Sequence, residues 1–311
     1  MFLDEPVVLF RTEGGEAVAL EDRCCHRHLP LSRGRLEGDR LRCGYHGLLF
    51  DAAGRCVEIP GQASIPPQAR VRAYPVMEKY HWVWIWMGDP ARADPALIPN
   101  WWWADHPEWA FTRPDPIHVK CNYQLISDNV LDVTHLAYVH ATSIGAGSIT
   151  EFPATTEREE HLVRLTRWIL DRPPPPLYRD AGGFEGNVDR WQIVEHVPPV
   201  FSVNFAGCKD AGKRIDLMAL SAPTPETAAT THYFFGFVRN FGLGDAAAEK
   251  IFSASMVKVF NEDIPVLEAQ ERTLALRPDA PKIDIAVDAA PLAARRMLER
   301  LIAGERAQDG E

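Results

Sequence analysis

Two short segments of the chain each combine a cysteine with a histidine. Cys24 and His26 form a C-x-H pattern, and Cys43 and His46 form a C-x-x-H pattern that begins after a gap of sixteen residues. Thiolates and imidazoles are both good ligands for transition metals. Four such side chains on two tight loops therefore predict a metal centre.

Two kinds of metal centre use two cysteines and two histidines. Structural zinc sites do so, but they usually pair C-x-x-C with H-x3–5-H, whereas each segment here supplies one ligand of each type. In a Rieske [2Fe–2S] centre, two cysteines bind one iron and two histidines bind the other, and the neutral imidazoles raise the reduction potential. We interpret Cys24 and Cys43 as ligands of one iron and His26 and His46 as ligands of the other. Zinc is the alternative.

A second candidate centre lies in the pattern D-x-x-H-x4-H, formed by Asp132, His135 and His140. Non-haem Fe(II) oxygenases bind iron with two histidines and one carboxylate and leave the remaining positions for O2 and substrate. We predict His135 and His140 as iron ligands and Asp263 as the third, with Glu262 as the fallback. The alternative is a pair of surface histidines and a solvated carboxylate.

The element that carries the two histidines is predicted as a helix from Tyr123 to His140, with Asn122 as its cap. Residues three apart share a helix face, which would bring Asp132 and His135 together. Five residues turn a helix by about 140°. His135 and His140 can therefore meet only if the helix widens or ends between them.

Short alternating segments predict strands in both halves of the chain. In the first half they are Pro6–Arg11, Ala17–Glu21, Arg40–Arg42, Leu48–Asp51, Cys56–Ile59 and His81–Met87, the last with two buried faces. In the second half they are His161–Leu170, Trp191–His196, Phe201–Gly207, Ile215–Ser221 and Thr230–Arg239. Two further helices are expected, one from Asp245 past Gln270 with a kink at Pro265, and one over Ala289–Ala303.

Length and composition limit the class of protein. A chain of 311 residues can form two domains, and a net charge of −10 argues against binding to nucleic acid or to anionic membranes. No apolar run approaches the roughly 20 residues that span a bilayer, and the first residues do not form a signal peptide. Cys25, Cys56, Cys121 and Cys208 are expected to be reduced thiols, which favours a cytoplasmic protein.

Together these motifs resemble those of the Rieske non-haem iron oxygenases, the alpha subunits of aromatic ring-hydroxylating oxygenases, and within them the vanillate O-demethylase oxygenase-like branch. The resemblance covers nearly the whole chain. Besides the two metal patterns it rests on Ser143-Ile144-Gly145, Thr231-His232-Tyr233-Phe234-Phe235-Gly236, Arg239-Asn240-Phe241 and the segment from Asp263 to Gln270.

The resemblance implies an α+β fold. An N-terminal all-β Rieske domain is expected over residues 1–95, and a C-terminal helix-grip catalytic domain, an antiparallel sheet with long helices, over residues 96–311. The chain starts at what corresponds to the second strand of the family, so the first strand is expected to be missing. His28 and Cys25 stand where the family commonly has Gly and Pro.

The resemblance also implies the cofactors and partners. Each subunit would hold one [2Fe–2S] cluster and one Fe(2+), form a homotrimer, and receive electrons from an NAD(P)H-dependent reductase of the flavin/ferredoxin type. In such a ring His46 would donate a hydrogen bond to the catalytic Asp132 of the neighbouring subunit, and Asp132 would hold His135. Electrons would then pass from the cluster of one subunit to the iron of the next.

The implied function is that of the terminal oxygenase component of a Rieske monooxygenase, which O-demethylates or hydroxylates a small aromatic acid such as a methoxybenzoate during catabolism of aromatic compounds. Ring dihydroxylation and methyl hydroxylation are alternatives within the enzyme class. An electron-transfer or metal-stabilised binding protein with an inactive second site is the alternative from another class.

The substrate is expected between the helix over Asn122–His140 and the sheet over Phe201–Arg239, below the Ile144–Thr150 loop. Asn204 is the first candidate for a substrate contact, as a hydrogen-bond donor to a carboxylate or ether. Asn129 and Ser221 are weaker candidates.

Overall fold

The computed structural model describes residues 1–145 and 147–309. The chain forms two compact units, Met1–Asn100 and Trp101–Glu311. Short 3-10 helices lie at Leu31–Arg33, Pro90–Arg92, Pro95–Leu97, Trp102–Asp105, His135–Ala137, Gly147–Glu151 and Ala286–Asp288. In the part of the chain that is described, no helix is both long enough and apolar enough to cross a membrane.

The first unit is built from short antiparallel strands. They are β1 (Val7–Arg11), β2 (Ala17–Glu21), β3 (Arg35–Glu37), β4 (Arg40–Arg42), β5 (Leu49–Phe50), β6 (Cys56–Glu58), β7 (Ala73–Tyr74), β8 (Val76–Lys79) and β9 (Trp82–Ile85). One sheet has the order β1-β2-β7, a second has the order β3-β4-β5-β6, and β8 pairs with β9.

The core of the first unit contains the two predicted cysteine ligands. Cys24 and Cys43 pack with Leu20, Leu41 and Phe50, all of them buried. Because both loops are rooted in this core, their backbone is fixed by apolar packing.

One prediction for the first unit was wrong. The strand over His81–Met87 forms as β9, but its two faces are not both buried, because Val83 is 37% exposed while Trp82 is only 8% exposed.

The second unit is an antiparallel sheet with helices on one face. Its strands are β10 (Ala110–Thr112), β11 (Ile117–Val119), β12 (Thr155–Arg158), β13 (Val163–Arg172), β14 (Val188–Val197), β15 (Phe201–Lys209), β16 (Arg214–Thr227) and β17 (Thr230–Arg239). Its helices are α1 (Tyr123–Leu131), α2 (Pro176–Asp180), α3 (Ala246–Leu276) and α4 (Ala289–Asp309).

The strand order is β10-β17-β16-β15-β14-β13-β12, and β11 also pairs with β17. β10 and β11 together form one interrupted edge strand, and Pro114 and Pro116 lie at the interruption, where they lack the N–H that a ladder needs. The predicted fold class, an all-β first part followed by an antiparallel sheet with long helices, is confirmed.

Apolar side chains hold the helices on the sheet. Leu125 and Ile126 of α1 and Phe252 of α3 pack with Phe235 and Phe237 of β17. A second cluster joins the alanine-rich face of α4 to β13. Buried residues alternate with less buried ones along β13, whereas β16 and β17 also bury residues of the opposite face, such as Leu220 and Val238.

The predicted helix over Tyr123–His140 was too long. α1 begins after Asn122, whose side-chain oxygen accepts the Gln124 N–H at 2.9 Å, as expected of a cap. It ends at Leu131, and Asp132 adopts an extended backbone conformation. The later helix α3 continues through Pro265 to Leu276, and the kink at Pro265 stays a prediction.

Candidate metal centres and cavity

The two cysteine-histidine loops of the first unit share one hydrogen-bond pattern. In the first loop, Cys24 N–H donates to Leu29 O at 2.9 Å, and His28 N–H donates to Cys24 O at 2.9 Å. In the second, Cys43 N–H donates to Leu48 O at 2.8 Å, and Gly47 N–H donates to Cys43 O at 3.2 Å. Each loop is therefore a closed turn that starts at its cysteine.

The fourth position after the cysteine has a left-handed backbone in both loops. Gly47 has φ +75° and His28 has φ +57°. Glycine adopts this conformation without strain, whereas a residue with a Cβ does so at a cost. His28, unlike Gly47, therefore occupies a strained position.

The four side chains on these loops fit a cluster with one buried side and one exposed side. The Cys24 and Cys43 side chains are buried, at 1% and 2% exposure. The His26 and His46 rings are exposed, with centroids 4.5 Å apart. Burial raises the pKa of Cys24, an effect to which the neighbouring Cys43 adds. A metal that binds there must displace the thiol protons.

The second unit brings His135, His140 and Asp263 together. One ligand atom from each lies within 4.8 Å of the others. His140 Nε2 is 3.2 Å from Asp263 Oδ1, and His135 Nε2 is 3.6 Å from the same oxygen. Neighbouring ligands at about 2.1 Å from one metal ion lie about 3 Å apart. The set therefore fits a single iron with little movement.

The end of α1 makes this meeting possible. Had the helix continued, His135 and His140 would point about 140° apart. Instead the chain turns through the 3-10 helix His135–Ala137, and the two rings lie with centroids 5.1 Å apart. Gly145 N–H then donates to His140 O at 2.9 Å and closes the loop.

Each histidine donates its Nδ1 proton to an acceptor and leaves Nε2 for a metal. His140 Nδ1 donates to Glu262 Oε2 at 2.8 Å, and Ser143 Oγ donates to the same oxygen at 2.6 Å. His135 Nδ1 contacts the main-chain oxygen of Asp132. Because both acceptors are oxygens, the donor must be the ring N–H, which fixes the tautomer.

The electrostatics of the two rings differ. Burial lowers the pKa of His135, and the charge of Asp263 only partly offsets this. Burial also acts on His140, but its hydrogen bonds to Asp263 and Glu262, together with the negative charges of these carboxylates, outweigh it and raise the pKa of His140. A metal at this site would compete with a proton for His140.

Asp132 contacts His135 differently from the expectation. The contact to the His135 ring comes from the main-chain oxygen of Asp132, and the carboxylate accepts the Thr134 N–H at 2.7 Å. In the single chain the Asp132 carboxylate therefore caps the turn after α1 rather than holding the ring directly. Its charge still acts on His135 and on the buried Arg167.

His135, His140 and Asp263 are called the triad below. A cavity lies between α1, α3 and the covered face of the sheet, and all three residues of the triad form part of its wall. The volume of the cavity is about 110 Å³. Its lining is mainly apolar, with Val133, Leu136 and Phe260 among its residues. Of the predicted loop over it, Ile144 lines the cavity, while Ala146 lies outside the described residues.

The three predicted substrate contacts all line this cavity. Asn129 Nδ2 donates to Asp263 Oδ1 at 3.1 Å, so the Asn129 amide already has a hydrogen-bond partner in the triad. Ser221 Oγ donates to the Tyr233 hydroxyl at 3.0 Å. The buried Asn204 Oδ1 has no hydrogen-bond partner in the described residues.

The sequence interpretation missed two polar residues of the cavity, Arg190 and Gln192, both on β14 and both buried. A signal was available. Val188, Arg190, Gln192 and Val194 alternate along one strand, so two polar residues occupy positions that the pattern assigns to the covered face.

Comparison with protein families covers both units. The description "Vanillate O-demethylase oxygenase C-terminal domain" matches residues 119–304, and "Rieske [2Fe-2S] domain" matches residues 1–75.

Individual relatives are similar over almost their full length. The iron-sulfur subunit of the toluene-4-sulfonate monooxygenase system of Comamonas testosteroni is 44% identical over 97% of this chain and 91% of the relative. A vanillate O-demethylase oxygenase subunit of a Pseudomonas species is 36% identical over 100% of this chain and 98% of the relative. The crystal structure of dicamba monooxygenase bound to 3,6-dichlorosalicylic acid superposes with a TM-score of 0.92 at 32% identity, over 98% of this chain and 92% of that chain.

Proposed function

The chain belongs to the Rieske non-haem iron oxygenases of the vanillate O-demethylase type, and on this basis we propose that it removes the methyl group of a methoxylated aromatic acid. It is a monooxygenase component that carries a [2Fe–2S] cluster and a non-haem iron. Its relatives are components of multi-component systems, so a separate reductase supplies the electrons.

We assign the cluster to Cys24, His26, Cys43 and His46, and the iron to His135, His140 and Asp263. The observation that carries the proposal is the position of the triad in the wall of a mainly apolar cavity. Such a cavity can hold an aromatic ring beside an iron that has open positions. Glu262, the fallback ligand, instead accepts the Nδ1 proton of His140.

The cluster would pass on the electrons that the reductase supplies, and the iron would supply the O2 chemistry. The balanced reaction takes an aryl methyl ether, O2, NADH and a proton to a hydroxymethyl ether, NAD⁺ and water. The hydroxymethyl ether then breaks its C–O bond to release a phenol and formaldehyde. The chain's own residues orient the substrate and exclude water, while Glu262 and Asp132 fix the two histidine rings.

The finer partners are also proposals. We assign a homotrimer in which Asp132 links two subunits, an NAD(P)H-dependent flavin/ferredoxin-type reductase, and a cytoplasmic location. The Rieske domain is assigned to residues 1–95 and the catalytic domain to residues 96–311.

Methyl hydroxylation is the second candidate reaction. It is favoured by one observation, since the relative at 44% identity belongs to a system named for toluene-4-sulfonate, which has a ring methyl group and no ether. The same cavity could present either a methoxy or a methyl carbon to the iron, because both reactions begin at a C–H bond.

The test is turnover of a substrate panel by the holoenzyme with a suitable reductase. With 4-methoxybenzoate and vanillate, formaldehyde and a phenol should form in a one-to-one ratio with NADH consumed. With 4-methylbenzenesulfonate, a benzylic alcohol without formaldehyde would support methyl hydroxylation. A cis-diol product from all efficient substrates would reject both reactions.

The matched control is His135→Ala, which should keep a reducible cluster but lose the mononuclear iron and all turnover. Metal analysis should give three irons per chain in the unaltered protein and two in this variant. Loss of turnover without loss of iron would move the iron site elsewhere. An unaltered protein with an intact cluster and no mononuclear iron would favour an electron-transfer protein.

A further inference from the structure

Arg190 is a buried cation for which the described residues provide no counter-ion. It lies on β14, lines the cavity and is 3% exposed. Its Nε and Nη2 atoms have no hydrogen-bond partner in the described residues, and none of the carboxylates there forms an ion pair with it. Nε and Nη2 share one edge of the guanidinium group, the edge that carboxylates bind with two parallel hydrogen bonds.

The ionisable groups that could offset the charge of Arg190, if they lost a proton, are the Tyr178 hydroxyl and the Cys208 thiol. Both are neutral at physiological pH, because burial raises the pKa of Tyr178 and raises that of Cys208 to about 12. Burial lowers the pKa of Arg190. Arginine nevertheless stays charged in proteins, so it cannot relieve the cost of burial by losing a proton.

The other two buried arginines of the same sheet are compensated. Arg239 pairs with Glu249. Arg167 donates to Val133 O at 3.1 Å and to Thr134 Oγ1 at 2.9 Å, and the charge of Asp132 acts on it. Arg190 is therefore the exception among them, and it is the one that lines the cavity.

Strand register places Arg190 at one end of a line of polar side chains on the covered face of the sheet. Arg190 and Gln192 are two positions apart on β14, and Gln192 pairs with Ala206, two positions from Asn204 on β15. Asn204 pairs with Ala219, two positions from Ser221 on β16. Diagonal neighbours of this kind are about 7–8 Å apart, so each residue is adjacent to the next.

The other end of this line lies beside the triad. Ser221 Oγ donates to the Tyr233 hydroxyl at 3.0 Å, and the charge of Asp263 acts on Tyr233. Gln192 Oε1 and Asn204 Oδ1, in the middle of the line, are buried without a hydrogen-bond partner in the described residues. The cavity is thus polar along one wall, from Arg190 to the residues next to Asp263.

We propose that Arg190 binds the anionic group of the substrate, a carboxylate or sulfonate on the aromatic ring, and so determines both the substrate class and its orientation. The anion supplies the counter-charge that Arg190 lacks, and the methyl or methoxy carbon is then directed toward the triad. Gln192 and Asn204 bind polar groups of the ring between these two ends. This inference rests on the proposed aromatic substrate.

The experiment measures binding without turnover, so that its outcome is separate from that of the reaction test. Dissociation constants are determined by calorimetry on oxidised holoenzyme under argon. The ligands are two matched pairs, 4-methylbenzenesulfonate with methyl 4-tolyl sulfone, and 4-methoxybenzoate with 4-methoxybenzamide. In the unaltered protein, at least one of the anions should bind about 10-fold or more tightly than its neutral partner, and the preferred pair identifies the anion as sulfonate or carboxylate.

Arg190→Met should raise the dissociation constant of the preferred anion about 10- to 100-fold and change that of its neutral partner by no more than about twofold. The dissociation constant of the anion for Arg190→Lys should lie between those for the unaltered protein and for Arg190→Met, because lysine keeps the charge but cannot form two parallel hydrogen bonds. Arg239→Met, the control for a buried arginine outside the cavity, should leave the ratio between anion and neutral partner unchanged.

A structural role for Arg190 predicts a different outcome. If the charge is uncompensated in the free protein, Arg190→Met should have an unfolding temperature equal to or above that of the unaltered protein, whereas Arg239→Met should have a lower one. Equal affinity of the unaltered protein for anions and neutral partners overturns the proposal, as does an Arg190→Met variant that keeps the anion preference or fails to fold.

Discussion

At the residue scale, the proposed iron site of His135, His140 and Asp263 depends on the groups behind the two histidine rings as much as on the rings. His140 is oriented by Glu262, and Glu262 is itself held by Ser143. His135 is oriented by a main-chain oxygen that no substitution removes. The two histidines therefore differ in how far a mutation can weaken their orientation.

Replacing Glu262 with Ala should raise the dissociation constant for iron about 10- to 100-fold, because the His140 ring loses the acceptor that fixes its tautomer. The measurement is iron titration of the protein stripped of mononuclear iron, with the cluster spectrum as a check on folding. Lys258→Ala is the control, since Lys258 reaches only the outer oxygen of Glu262, at 3.8 Å, and it should change the constant by less than about twofold. Unchanged iron affinity in Glu262→Ala would contradict this role.

His28 allows a second test at this scale. Because its φ is +57°, the His28→Gly variant should be more stable than the His28→Ala variant by about 1 kcal/mol in denaturant unfolding. Arg27, its exposed neighbour with an ordinary φ, is the control, and there the alanine variant should be the more stable of the pair. If the alanine variant were the more stable at both positions, the loop would have relaxed from the left-handed conformation at position 28.

At the element scale, the turn between α1 and the Gly147–Glu151 helix decides whether the histidines converge. The helix stops at Leu131 and the chain folds back on itself, so that main-chain atoms of Leu136 and His140 come very close to Gly145. A Cβ on Gly145 would lie 1.9 Å from the Leu136 oxygen, which is far inside contact distance. The turn is thus compact enough to admit only glycine at this position.

Gly145→Ala should therefore displace the His140 segment and reduce iron binding by 10-fold or more, with a loss of about 2 kcal/mol in stability. Iron content and thermal unfolding measure both effects. Gly304→Ala is the matched control, because nothing lies within 4 Å of a Cβ there and the residue is helical, so stability should rise by about 0.5–1 kcal/mol. A Gly145→Ala protein with full iron content would show that the turn can rearrange.

At the scale of the whole molecule, electrons must travel from the cluster to the iron. The two sites lie in different compact units. The cysteine-histidine loops belong to the first unit, and His135, His140 and Asp263 belong to the second. The proposed homotrimer provides the path, from His46 of one subunit through Asp132 of the next.

Asp132→Asn tests this path. An asparagine oxygen can still accept the Thr134 N–H, and the main-chain oxygen still holds His135, so cluster, iron and trimer should all be retained. Electron transfer to the iron in a single turnover should nevertheless slow by about 100-fold, because the charge that links the two histidines is lost. Asp128→Asn, which alters a carboxylate of α1 that pairs with Arg295 of α4, should transfer electrons normally. A normal rate in Asp132→Asn would exclude the route between subunits.

The sequence alone determined which residues could bind metal and which kind of sheet would carry them. Cysteine-histidine spacing is a property of a few consecutive residues, so Cys24, His26, Cys43 and His46 could be proposed as cluster ligands without any fold. Because alternation is also local, the five strands β13 to β17 were predicted within a few residues, except that β16 continues six residues beyond the predicted end at Ser221. The short strands β10, β11 and β12 were not predicted. His135 and His140 could be named for the same reason.

Only the tertiary structure decided how distant residues meet. It ended α1 at Leu131, where Asp132 is extended and its carboxylate accepts the Thr134 N–H. It placed Asp263 beside the two histidines and Glu262 behind one of them, although the two carboxylates are adjacent in sequence. It also placed Arg190 in the cavity without a counter-ion, since the absence of a partner depends on every element around a side chain and cannot be inferred from its own strand.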